Sequence, residues 1–199
     1  METAEPQSGR RTRVDVALNR ERLLAAAKTV FARSGRTASL DAVVRESGLG
    51  TGTLYRHFPT REALYEAVYR RDIEHLVELG SDAMSTANPV DALRHWLRAM
   101  IDTVATKKGM IAAFALSADT TSAISARSTG PLMEVVDRLI AHADKAGAIR
   151  AGISGEELLL AVVGMSMLRD QPDWQASVIR LTDILVDGML VATNTRQEL

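Results

Sequence analysis

Cysteine is absent from the 199 residues. That excludes a disulfide scaffold, a cysteine-ligated zinc and a thiol nucleophile. Aromatic residues make up only 4%, so the core must be built from Ala, Leu, Val, Ile and Met. Such a core suits helix-on-helix packing better than a sandwich or barrel, because strands favour β-branched and aromatic residues. No apolar run is long enough to span a bilayer, and Met1–Arg13 lacks the apolar centre of a signal peptide. A cytoplasmic protein with no membrane partner is expected. There is no phosphate-cradling glycine loop ahead of a βαβ unit, no Ser/His/Asp arrangement and no strand pattern on which to build an α/β site. No catalytic residue, metal or cofactor is therefore expected, and the chain does not read as an enzyme.

What is present is an ordinary soluble composition, 46% apolar and 25% charged, in a length that suits one domain or two small ones. The net charge of −1 conceals an asymmetry. From Arg10 to Arg71 there are 13 basic and 6 acidic residues, a balance of +7, whereas Leu76–Leu199 carries 11 basic and 15 acidic, a balance of −4. A basic first part joined to an acidic remainder points to an anionic partner for the first part only.

Residues 1–16 look like a flexible arm holding Arg10, Arg11 and Arg13. The cluster suits DNA phosphates or a minor groove, or is a solvated tail. Helical periodicity begins near Asn19, with Leu23, Leu24, Ala27, Val30 and Phe31 on one face. Gly35 ends that helix. Ser39 caps a short second helix, Leu40–Ser47, with Asp41 favourable in its first turn. After Gly48, a third short helix reaches about His57 and Pro59 stops it. Thr60 then caps a longer helix carrying Leu64, Ala67 and Val68. Two short helices joined by a tight glycine-containing turn make a helix-turn-helix, whose second member lies in the major groove.

Thr51, Gly52 and Thr53 start that member, the end that meets base edges. Gly52 lets the backbone approach DNA closely. The two threonines offer a hydroxyl to a base edge or phosphate and a methyl to thymine. Tyr55, Arg56 and His57 suit phosphate oxygens, as does Arg61 at the start of the next helix. Leu54 and Phe58 read as core.

The stretch Leu23–Val68, roughly a quarter of the chain, resembles the DNA-binding domain of the TetR family of transcriptional regulators. The matching elements are Ala27…Phe31-Ala32…Gly35, Ser39-Leu40-Asp41…Val44…Gly48, Gly52-Thr53-Leu54-Tyr55-Arg56-His57-Phe58 and Arg61-Glu62-Ala63-Leu64. The resemblance implies that Tyr55 and His57 position the DNA backbone, Arg61 holds a phosphate, and Thr51–Thr53 read bases. Ser39 would cap its helix and touch phosphate. Where many members carry Ser then a basic residue, this chain has Gly50-Thr51, so that cationic contact is not offered.

Beyond residue 80, Asn88-Pro89 starts a helix to about Thr106, closed by Lys107-Lys108-Gly109. A short apolar segment follows, and Asp119–Thr129 reads as loop plus weak helix. Gly130-Pro131 opens a helix that stops near Gly147, Ser154–Glu157 is a capping box for Glu156–Arg169, and Pro172 precedes a last helix, Trp174–Ala192. The expected fold is all-α, about nine helices: an arm (1–16), a helix-turn-helix DNA-binding domain (17–64) and a helical domain (65–199). The resemblance implies ligand binding and dimerisation for the last. The nearly all-apolar Glu156–Arg169 helix needs a partner, either a second subunit or the rest of its own. Trp96, Met100, Phe114, Met133, His142 and Met165 either line an apolar effector cavity or are plain core. The expected function is a homodimeric repressor that binds a pseudo-palindromic operator, with recognition helices roughly 34–36 Å apart, and is released by a small-molecule effector. The alternatives are an activator or a DNA-binding regulator without small-molecule input.

Overall fold

Burial follows the apolar stripe of the first helix: Leu23, Ala27, Val30 and Phe31 are fully enclosed. The structure, a computed structural model, describes residues 8–126, 129–150, 152–168 and 173–191. Helix α1 spans Ser8–Ser34, so it begins well before the periodicity does at Asn19. Val14, Val16 and Leu18 are exposed on it. The apolar pattern marks where packing starts, not where the helix starts. Of the expected arm, residues 1–7 lie outside the described residues.

A short 3-10 turn, Gly35–Thr37, leads to α2 (Leu40–Ser47). The Ser39 hydroxyl accepts from the Ala42 amide at 3.2 Å and caps α2. Gly48 ends the helix at φ 65°, a left-handed conformation that favours glycine. Helix α3 (Thr51–His57) follows, then α4 (Arg61–Ala83), capped where the Thr60 hydroxyl accepts from the Ala63 amide at 3.1 Å. Asn88 caps α5 by accepting from the amides of Val90 and Asp91. Helix α5 spans Pro89–Phe114 and passes straight through Lys107-Lys108-Gly109, where the sequence suggests an end. Gly109 is there for packing: a Cβ would fall inside 3.0 Å of the Phe31 carbonyl oxygen and at 3.3 Å from the Gly35 Cα. Helix α6 (Ala118–Ala126) occupies most of the stretch read as loop plus weak helix; α7 (Thr129–Lys145), α8 (Gly155–Leu168) and α9 (Trp174–Met189) complete the order. The capping box of α8 is formed, with the Glu157 carboxylate accepting from the Ser154 amide at 2.8 Å and the Glu157 amide donating to the Ser154 hydroxyl at 3.2 Å. Arg169, Pro172 and Ala192, named in the sequence reading of the last helices, lie outside the described residues. Among the described residues the β pairing amounts to one antiparallel bridge, Ile149 to Leu190. The fold is all-α.

The described residues form two compact units. The first falls within Met1–Tyr69 together with Thr106–Thr121; the second within Arg70–Ala105 and Ser122–Leu199. In the first, α1 packs on α2 and α3, and Phe31 meets Phe114 edge-to-face at 4.8 Å. In the second, Trp96 is fully buried and donates its indole N–H to the Leu76 carbonyl at 2.8 Å. α8 packs on α7 and α9. Asp183 of α9 accepts from Arg94 at 3.1 Å and from Arg98 at 3.1 Å, and Asp187 accepts from Arg94. Burial would raise the Asp183 carboxyl, but the two guanidinium groups outweigh it and hold it below its ordinary value.

Candidate nucleic-acid interface

The helix-turn-helix is locked by a few side chains with alternate jobs. Leu54 and Phe58, one turn apart, are buried and fasten α3 to the first unit. The turn before it is held by the Ser47 hydroxyl, which donates to the Val44 carbonyl at 2.9 Å and accepts from the Leu49 amide at 3.3 Å. Arg22 of α1 donates to the Ser47 carbonyl at 2.8 Å, tying α1 to the same turn. Arg20 lies over the Phe58 ring at 5.4 Å.

With Leu54 and Phe58 facing inward, the other side of α3 must face out. Thr51, Gly52, Tyr55 and Arg56 are exposed, and Thr53 and His57 are half-buried. An alanine at Gly52 would meet nothing within 4 Å, so the protein's own packing does not demand glycine there. Ser39, Tyr55 and Arg61 come from three different helical segments yet line one open cleft of about 250 Å³, with Ala38, Leu40, Asp41, Ala113 and Phe114. Arg61 is exposed, makes no ion pair among the described residues, and lies over the Phe114 ring at 5.9 Å. Chemically, this surface offers hydroxyls and methyls at a helix start, flanked by a phenol and two guanidinium groups. That is a set for base edges in the middle and phosphates at the sides. Arg13 lies on α1, with its side chain outside the described residues.

Residues 23–68 match the family model for bacterial regulatory proteins of the tetR family. Residues 88–191, more than half of the chain, match the model for the C-terminal domain of SbtR-like transcriptional regulators. The chain belongs to the TetR family. Among solved structures, the TetR transcriptional regulator SCO0520 from Streptomyces coelicolor is 35% identical with a TM-score of 0.74, over 87% of this chain and 99% of that one. A TetR transcription regulatory protein from Mycobacterium vanbaalenii is 27% identical with a TM-score of 0.69, over 90% of this chain and 99% of that one. Among curated relatives, the HTH-type transcriptional regulator UidR of Escherichia coli K12 is 39% identical over 56 residues, which are 28% of this chain and 29% of UidR. The matches to curated relatives thus span only about a third of their length, 29% for UidR and 34% for a Staphylococcus aureus regulator. This TetR-family protein is a DNA-binding transcriptional regulator, and no helix among its described residues is long and apolar enough to cross a membrane.

The residues named for an effector cavity divide between the two units. Trp96, Met100, Met133, His142 and Met165 belong to the second. Trp96 and Met100 are buried, and the His142 Nε2 is buried without a hydrogen-bond partner among the described residues. Phe114 belongs to the first unit, against Phe31 and Arg61. Its apolar character suggests a cavity wall, but helix α5 carries it past Gly109 into the other core. Sequence reasoning also passed over Arg20, Arg22 and Ala113. Both arginines stand in the basic N-terminal region and were available as a signal; nothing local marks Ala113.

Proposed function

We propose that the protein is a homodimeric repressor, with DNA-binding in residues 17–64 and effector binding and dimerisation in 65–199. It grips a pseudo-palindromic operator through Thr51, Gly52 and Thr53 at base edges. Ser39, Tyr55, Arg56, His57 and Arg61 hold the phosphates. The outward presentation of α3 over a locked Leu54 and Phe58 carries this reading. Dimerisation is supported by apolar side chains left in water on α8 and α9: Leu160 is 72% exposed and Ile184 65%, with Met167 and Leu181 alongside. Large apolar side chains on adjacent helices are the material of a two-fold helical interface, and each such side chain is worth roughly 1.5–3 kcal/mol when covered. The second unit supplies the effector site, from Trp96, Met100, Met133 and Met165. The buried His142 nitrogen, which has no hydrogen-bond partner among the described residues, is the group that orients a largely apolar molecule. To release DNA, the effector must favour a conformer with mismatched recognition helices by several kcal/mol.

The test is selection of operator duplexes from a random pool with the purified protein, followed by release with candidate effectors. Enrichment of an inverted repeat, with half-sites one DNA turn or a multiple apart, and its loss on adding an effector is the expected result. A monomer with no preference for any duplex would overturn the reading. An enriched repeat that no molecule releases would leave a regulator without small-molecule input.

A further inference from the structure

We propose that Phe114, near the end of α5, is a positioning residue for DNA binding: its ring holds the Arg61 guanidinium ready for a phosphate. The inference rests on the reading of Arg61 as a phosphate contact. Arg61 is exposed and forms no ion pair among the described residues. An arginine in that state samples many rotamers and loses that freedom on binding. Here its guanidinium carbon lies 5.9 Å from the centre of the Phe114 ring, within the range of a cation–π contact.

The ring itself is well fixed. Phe114 is 7% exposed and packs edge-to-face on the fully buried Phe31. Five residues earlier on the same helix, Gly109 lies so close to the Phe31 carbonyl that no side chain fits between them. The helix stops directly after Phe114. Ala115 takes φ 51°, and the Leu116 amide donates to the Ile111 carbonyl at 3.2 Å, a Schellman closure. Ser39 and Tyr55, also assigned to the phosphate side, line the same cleft as Phe114 and Arg61. The cleft is therefore assembled from α2, α3, α4 and a segment of α5 that lies far away in sequence. That α5 segment supplies the flat apolar face on which a planar cation rests.

Full-length protein is titrated with a fluorescein-labelled duplex of mixed sequence across a range of salt, following anisotropy. The variants are Arg61→Ala, Phe114→Leu, Phe114→Tyr and the double Arg61→Ala/Phe114→Leu, each checked for parental helicity and melting. Phosphate contacts act on any sequence, so no operator is needed. Arg61→Ala should lower the slope of log K against log salt by about 0.9 for each lost contact. Phe114→Leu should weaken binding about two- to fivefold per bound protomer and lower the slope in the same direction. Phe114→Tyr, which keeps the ring, should bind like the parent. In the Arg61→Ala background Phe114→Leu should change nothing further. An equal loss from Phe114→Leu in both backgrounds, or no loss from it at all, overturns the inference and leaves the Arg61 contact standing. If Arg61→Ala leaves affinity and slope unchanged, the phosphate contact itself is wrong and the inference goes with it. Should Phe114→Leu melt early, Phe114→Met replaces it in the same cycle, with the same outcomes.

Discussion

Replacing Gly109 by alanine tests whether the C-terminal part of α5 is seated against α1 by the absence of a side chain. In an exposed helix the exchange is favourable by about 1 kcal/mol, since glycine is the poorer helix former. Here the added methyl falls inside 3.0 Å of the Phe31 carbonyl oxygen and close to the Gly35 Cα. Both obstacles are backbone, so no side chain can swing aside, and α5 must back away by about 1 Å to reach ordinary contact. Overpacking of this kind costs about 1–3 kcal/mol, and a rigid backbone obstacle belongs at the upper end. The net loss is then about 2 kcal/mol, a fall in Tm of about 4–8 °C for a chain of this size. Gly52→Ala is the control. Its methyl meets nothing within 4 Å, so Tm should hold or rise slightly, while DNA binding weakens if the backbone there approaches the duplex. Thermal unfolding by circular dichroism at fixed protein concentration reads both. A Gly109→Ala protein that melts at or above the parental temperature would refute the close-packing argument.

The contacts of α3 should separate by type. Tyr55→Ala should weaken binding to every duplex and flatten its salt dependence, whereas Thr53→Ala should change preference at particular base pairs; binding arrays at two salt concentrations distinguish them. Leu160→Glu or Ile184→Glu should yield a folded protein that is monomeric by light scattering, since a carboxylate in an apolar seam costs several kcal/mol. A variant dimer of parental stability would remove these faces from the interface. Asp183 should make the second unit acid-sensitive. Its folded carboxyl is held below the ordinary value, so its contribution is complete above about pH 4 and disappears as the pH falls through the lowered folded value. Asp183→Ala should cost about 1–2 kcal/mol at neutral pH, the partly exposed setting trimming what charged hydrogen bonds give, and the variant's melting should lose less on acidification than the parent's.

The helix-turn-helix was legible because its signals are local. Ser39, Gly48 and Thr60 each act within a few residues of themselves, and Leu54 and Phe58 repeat at the helical period. The outward set Thr51, Gly52, Tyr55 and Arg56 then follows by elimination. Longer-range facts were not legible in the same way. Gly109 after two lysines has the signature of a helix end, and only the Phe31 carbonyl, far away in the chain, explains a glycine inside a continuing helix. Phe114 is apolar like Met100 or Met133, and nothing in its neighbourhood says which core receives it. The early start of α1 escaped for the opposite reason: Val14, Val16 and Leu18 are helical without being buried, so they carry no amphipathic mark.

The unit that holds the reading head is discontinuous, because residues 106–121 return to it after an excursion through the other unit. Anyone exchanging heads between related regulators to rewire a genetic circuit would naturally cut the chain after α4 begins. Such a graft would bring a foreign Phe31 and Arg61 to a host α5 that was shaped for different neighbours. A working chimera of this protein needs its donor's Gly109–Phe114 segment transplanted along with the first 69 residues.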